Sequence, residues 1–119
     1  MVELQLELVF SVRDRKGRPL PPEQLHDEGA RLMEALLDLE KCNDNMRDSA
    51  TSSDTEAGQV TVDFLVSEES DSKAVDSALT LCRTAIHAIG GATPNWPSES
   101  SATAGTDFVP TKVEFDYVS

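Results

Sequence analysis

Residues 2–12 alternate without a break. Val2, Leu4, Leu6, Leu8, Phe10 and Val12 hold one parity, and Glu3, Gln5, Glu7, Val9 and Ser11 hold the other. Successive side chains of a strand point to opposite faces, so a period of two specifies a strand with one buried and one wet face. A sheet that is wet on one side needs cover only on the other. The rest of the chain is expected to supply one layer of helices and the remaining strands.

Arg13-Asp14-Arg15-Lys16-Gly17-Arg18-Pro19 ends the alternation as a charged loop. Leu20-Pro21-Pro22 then opens a helix, because proline is tolerated in a first turn. Leu25, Leu32, Leu36 and Leu39 line one stripe of it, with Gly29 and Met33 beside them. Asp27, Arg31, Glu34, Asp38 and Lys41 lie opposite, and the helix is expected to end near Asn43-Asp44-Asn45. Residues 47–53 are polar and read as a weak edge strand, a composition that discourages pairing with other molecules. Alternation returns over 59–66, with Val60, Val62, Phe64 and Val66 inward. Ser67-Glu68-Glu69-Ser70-Asp71-Ser72 is a cap for a second helix. That helix buries Ala74, Ala78, Leu81, Cys82, Ala85 and Ile89, and Gly90-Gly91 ends it. Residues 92–108 read as an irregular linker, rich in Pro, Ser, Thr and Gly, that holds Trp96. A last strand is expected over 109–118, with Val109, Thr111, Val113, Phe115 and Tyr117 inward.

The order β-α-β-β-α-β predicts an α+β ferredoxin-like split βαβ plait. Its antiparallel sheet has the order 4-1-3-2, with both helices on one face. The 119 residues suit a single domain of that kind, spanning 1–119.

Charge and cysteine usage narrow the function. Ten basic residues face 22 acidic ones, a net charge of −12, and acidic residues predominate in both halves of the chain. Phosphate backbones need clustered Lys and Arg, so direct nucleic-acid binding is not expected. No apolar run reaches the ~20 residues of a membrane helix, and glutamates at 3 and 7 do not suit a signal peptide. A cytoplasmic setting is expected. Cys42 and Cys82 form no CxxC pair, and with His26 and His87 they lack the close spacing of a zinc site. Both cysteines are expected to be reduced and packed, and neither cofactor nor metal is expected.

Two surfaces stand out as candidates. The open sheet face carries Glu3, Glu7, Asp63, Glu114 and Asp116, a carboxylate-rich area suited to a basic partner. RNA-recognition domains of this architecture stack bases on aromatic residues there, and this face has none. The connections at one end bring together the loop 13–19, the turn 54–58 and the linker with Trp96. Arg13, Arg15, Lys16 and Arg18 beside Trp96 are candidates for holding an anionic ligand or an acidic partner segment.

Catalytic patterns are not found. His87 points away from its helix's apolar stripe, and no motif ties His26 or His87 to a nucleophile. Acylphosphatases share the fold, but their glycine-punctuated loop of the GxVQGVxFR type is missing from Phe10–Pro22. ACT-type ligand-binding domains share it too, and Gly17 falls near their glycine after the first strand.

The run Gly90-Gly91-Ala92-Thr93-Pro94-Asn95-Trp96-Pro97, the helix Ala74–Ile89 and Val60-x-Val62 before it resemble a group of small actinobacterial proteins of ferredoxin-like fold. The resemblance implies that fold and a bacterial cytoplasmic setting, and no activity. The expected function is a non-catalytic interaction or accessory module with a protein partner or self-association. An ACT-like small-ligand sensor and an acidic mimic of nucleic acid are the alternatives.

Overall fold

The structure, a computed structural model, describes residues 2–14, 16–92 and 106–117, and only the backbone of Ala92 and Tyr117. The chain runs β1 (Val2–Asp14), α1 (Pro22–Cys42), β2 (Met46–Asp54), β3 (Gln59–Glu68), α2 (Asp71–Ala88), β4 (Gly91–Ala92) and β5 (Thr106–Tyr117). β2, β3, β1 and β5 lie side by side in that order, each antiparallel to its neighbour. The α+β class and the one-sided helical cover are as expected. The sheet differs in detail, because β4 adds a short parallel strand outside β5.

The parity of β1 and β3 sets the core. Leu4, Leu6, Leu8, Phe10 and Val12 are fully buried against Val60, Val62, Phe64 and Val66 of β3. The helices cover this face with Leu25, Leu32 and Leu36 of α1 and Ala78, Cys82, Ala85 and Ile86 of α2. Small residues on α2 let its backbone lie close to the sheet. Ile86, rather than Ile89, is the buried isoleucine, and Ile89 is only partly covered. Ser70 caps α2 by accepting from the Lys73 N–H at 3.3 Å. Gly90, at φ +84°, ends it with its N–H on the His87 carbonyl at 3.0 Å.

The last strand departs most from expectation. It starts at Thr106, so Thr106, Asp107 and Phe108 belong to β5 and Ala92 to β4, not to an irregular linker. Phe108 is fully buried and meets Phe10 edge to face, ring centres 5.8 Å apart. A Cβ on Gly91 would sit 2.7 Å from Ile86 Cγ2 and 2.9 Å from the Phe108 ring. Only a glycine lets the chain leaving α2 press flat on Phe108, and β4 forms there. The register on β1 shifts by one residue between Val9↔Lys112 and Phe10↔Pro110, which makes Thr111 the extra residue of a bulge. Proline has no N–H to give a ladder, and a bulge on an edge strand accommodates it. The shift reverses parity. Val109 lies opposite Ser11 on the open face, Thr111 is exposed, and Val113 and Phe115 keep the expected helix side opposite Leu8 and Leu6.

One cysteine sits otherwise than expected, and one charged side chain is buried. Cys42 is exposed at the end of α1, while Cys82 is buried, and both are free thiols. Glu28 is buried, at 8% exposure, on the apolar face of α1 between Leu25 and Leu32. Among the described residues, no helix is long and apolar enough to cross a membrane.

Candidate functional site

The open face of the sheet is crossed by a row of carboxylates. Glu7 on β1 lies directly opposite Asp63 on β3 and opposite Glu114 on β5. Like charges on facing positions of adjacent strands destabilise a sheet. Two cations relieve the face. Lys112 reaches Glu114 at 3.0 Å and Glu7 at 3.8 Å. Arg47 on β2 donates to Glu3, which also accepts from the Ser67 hydroxyl at 3.4 Å. Asp116 lies opposite Gln5. Asp63 has no cation beside it in this register, facing Ala50 on one side and Glu7 on the other. Partial burial pushes its carboxyl above the usual range, and Glu7 pushes it further. Hydrogen bonding and attraction from Glu114 raise the Lys112 ammonium, and those from Glu3 raise the Arg47 guanidinium. The five acidic candidates Glu3, Glu7, Asp63, Glu114 and Asp116 therefore do share one surface, which Lys112 and Arg47 interrupt.

At the other candidate surface, the loop after β1 is built around Asp14. Its carboxylate accepts from the N–H groups of Lys16 at 2.8 Å and Arg18 at 3.0 Å. These backbone bonds, that of Arg18 first, hold the Asp14 carboxyl below its ordinary value. Gly17, at φ +80°, turns the loop. Arg13 is used internally: its guanidinium donates to Ser11 Oγ and to the Gly17 carbonyl. Lys16 and Arg18 are exposed. The 54–58 turn does adjoin this loop, since the Val12 N–H donates to the Gly58 carbonyl at 3.0 Å and Pro19 approaches Gly58. Arg15 and Trp96 lie outside the described residues, so the pairing of the basic loop with a tryptophan is not part of this geometry.

Among the described residues, concavities flank the helices. A polar hollow of about 340 Å³ lies at the opposite end from the basic loop, lined by Asn43, Asn45, Glu68, Asp76, Ser77 and Thr80. Asn45 and Ser77 both donate to the same oxygen of Glu68. A groove of about 350 Å³ runs between α1 and α2, past Arg31, Glu34, Asp38 and Cys42. Arg31 ties the helices there, donating to the Ile89 carbonyl at 2.9 Å and to Glu28 at 3.4 Å. Burial raises the Glu28 carboxyl, against the pull of Arg31. Another concavity, at the start of α1, holds His26 and Thr55. No three His, Cys, Asp or Glu side chains among the described residues group as a metal site.

The sequence patterns missed the Glu68 cluster and Glu28. Glu68 reads as part of a helix cap in the sequence, and its partners Asn45 and Ser77 come from two other elements that only the fold brings near. Glu28 had a signal, because it falls three residues after Leu25 and four before Leu32 on the apolar stripe. A scan against protein-family models and searches of the curated proteins and of the solved structures found no match to the chain.

Proposed function

We propose that this chain is a non-catalytic interaction module of ferredoxin-like architecture, working in the cytoplasm, whose uncovered sheet face receives a basic protein segment. The observation that carries this reading is the row Asp63–Glu7–Glu114 across three neighbouring strands. Facing carboxylates cost the isolated domain stability, and a partner's Lys or Arg side chains would recover that cost on binding. A surface of this kind steers association through charge, so binding is expected to weaken steeply as salt rises. The test is capture from native lysate by the wild type and by Glu7→Gln/Asp63→Asn. A basic protein held by the first and released by the second supports the reading. Equal capture by both, or none by either, contradicts it. A third arm, Lys16→Ser/Arg18→Ser, reports on an acidic partner or anion at the loop after β1.

The polar hollow around Glu68 favours a second reading, an ACT-like small-ligand sensor. Glu68 and Asp76 suit an ammonium group, and Asn43, Asn45, Ser77 and Thr80 offer hydrogen bonds to the rest of an amino acid. A ligand at 100 times its Kd stabilises the folded state by about 2.7 kcal/mol. A screen of the common amino acids by thermal shift is expected to give one clear rise in Tm that Glu68→Gln abolishes. A flat screen rejects this reading.

A further inference from the structure

Most of the outer edge of β5 meets no described strand. Among the described residues, only Thr106 and Asp107 meet a strand on that side, and that strand is β4. From Val109 to Tyr117, alternate residues turn their N–H and C=O groups away from β1, toward no described strand. The helical layer covers this strand only in part: Phe108 lies in the core and Phe115 packs against its rim. α1 packs on β2, and α2 on β3 and β1. Val113, on the helix side of β5, is consequently 45% exposed, one of only two large apolar residues so exposed among those described. A long edge with an uncovered apolar side chain is a template for another strand.

We infer that β5 pairs antiparallel with β5 of a second copy of this chain, about a two-fold axis through Val113. This rests on the interaction-module reading and deepens it by naming one partner. An isologous contact uses the same segment twice. Keeping both open faces on one side requires facing residues of equal parity, so the axis passes through a residue. Charge then selects which residue. An axis at Lys112 sets Lys112 against the partner's Lys112, and an axis at Glu114 sets Glu114 against the partner's Glu114, a clash between its two Lys112–Asp116 pairs. An axis at Phe115 sets Glu114 against the partner's Asp116 twice. The axis at Val113 alone sets Lys112 against the partner's Glu114, twice, while Val113 covers the partner's Val113 and Thr111 faces the partner's Phe115. In this register Pro110, which has no N–H to offer, falls near the end of the paired segment. Thr106 and Asp107, already paired with β4, lie beyond it. The result is one sheet continuous across both copies. A strand pair buries less than the ~1,600 Å² of a standard interface, so the dimer is concentration-dependent.

Sedimentation equilibrium of the intact chain, across concentrations up to about 1 mM, tests the inference. The wild type is expected to move from the 12.9 kDa chain mass toward twice that value. Lys112→Glu, which opposes carboxylates across the axis, is expected to weaken the dimer at least about tenfold. Lys112→Glu/Glu114→Lys restores both cross-axis pairs and is expected to restore the dimer. Under an axis at Glu114 the same swap would oppose two lysines and restore nothing. Val113→Lys, at an exposed site, keeps the test sound should Lys112→Glu loosen the monomer through Glu7, and it too is expected to dissociate the dimer. A wild type monomeric at the highest concentration overturns the inference. So does a dimer indifferent to Lys112→Glu and Val113→Lys, or a charge swap that fails to restore association. A monomer that still captures a basic partner leaves the sheet-face reading standing. A dimer that captures nothing contradicts that reading and leaves this inference intact.

Discussion

β2 and β5 flank the same central pair of strands, and each carries a bulge, yet their outer edges present different surfaces. β2 is polar along its length after Met46, and its register shifts between Arg47 and Ala50. Asp48 takes φ +58° in that shift, and the Ser49 N–H turns to donate to Glu40 of α1 at 2.9 Å. Thr51 donates to the Gly29 carbonyl of the same helix at 3.3 Å. The helix above β2 thus draws the edge inward and consumes part of its hydrogen bonding. On β5, the bulge at Thr111 divides the strand. Above it, Phe108 belongs to the core and β4 covers the edge. Below it, Val113 is exposed while Phe115 packs only partly on the core, and among the described residues no strand meets the outer edge there. A bulge alone does not close an edge. What guards β2 is its polar surface together with the helix, which takes up the Ser49 N–H at the bulge.

Breaking the upper half of β5 is expected to have the largest effect. Phe108→Ala removes a fully buried ring and is expected to destabilise the fold by about 3–5 kcal/mol, read from urea unfolding. Val113→Ala, five residues along the same strand, is expected to change monomer stability by no more than about 0.5 kcal/mol. Equal losses at the two sites would erase the division of β5 at its bulge. Gly91→Ala forces a methyl into Ile86 and Phe108, and a cost of about 1–3 kcal/mol is expected. A neutral result would mean that β4 does not press on Phe108.

The β2 edge offers smaller effects. Asp48→Gly relieves a left-handed backbone and is expected to stabilise by about 0.5 kcal/mol, since its Arg47 contact is exposed. A loss of stability would show that the Asp48 side chain, not the backbone shape, makes the bulge. The smallest effect is electrostatic. Asp63 has its pKa raised by burial and by Glu7, so the folded state disfavours its charged form. Such a group costs stability as pH rises from its unfolded pKa through its folded one. Asp63→Asn removes that cost. Its Tm is expected to lie slightly above the wild type at pH 7. The gap should close as pH falls below the ordinary carboxylate value, where both folded and unfolded Asp63 are protonated. A gap that widens on acidification contradicts the assignment.

Much of this architecture was legible in the chain itself. The parity of Val2–Val12 and of Val60–Val66 names the inner face residue by residue, because burial on one side of a strand leaves no other periodicity. Ser70 and Gly90 mark the ends of α2 by local chemistry alone. The errors concentrate in β5. Thr106–Phe108 follow a Pro/Ser/Gly-rich stretch, and that composition hid a core phenylalanine. The bulge is a backbone event that side-chain alternation does not announce, so alternation puts Val109 on the inner side and predicts a buried Thr111, whereas Val109 lies on the open face and Thr111 is exposed. The acidic face was readable as a list of residues, but not the pairing of Glu7 with both Asp63 and Glu114, nor the cations between them. Those depend on register and on long-range neighbours. The open edge was less accessible still, since no residue type declares that the helical layer covers this strand only in part.

Among the described residues, β2 is thus a guarded edge and the lower half of β5 an open one. Backbone amide hydrogen exchange, followed residue by residue at a low and a high protein concentration, tests this contrast most directly. Protection within 109–117 is expected to rise with concentration while protection within 46–54 stays constant. Protection in 109–117 that does not change with concentration, or a rise confined to 46–54, would contradict it.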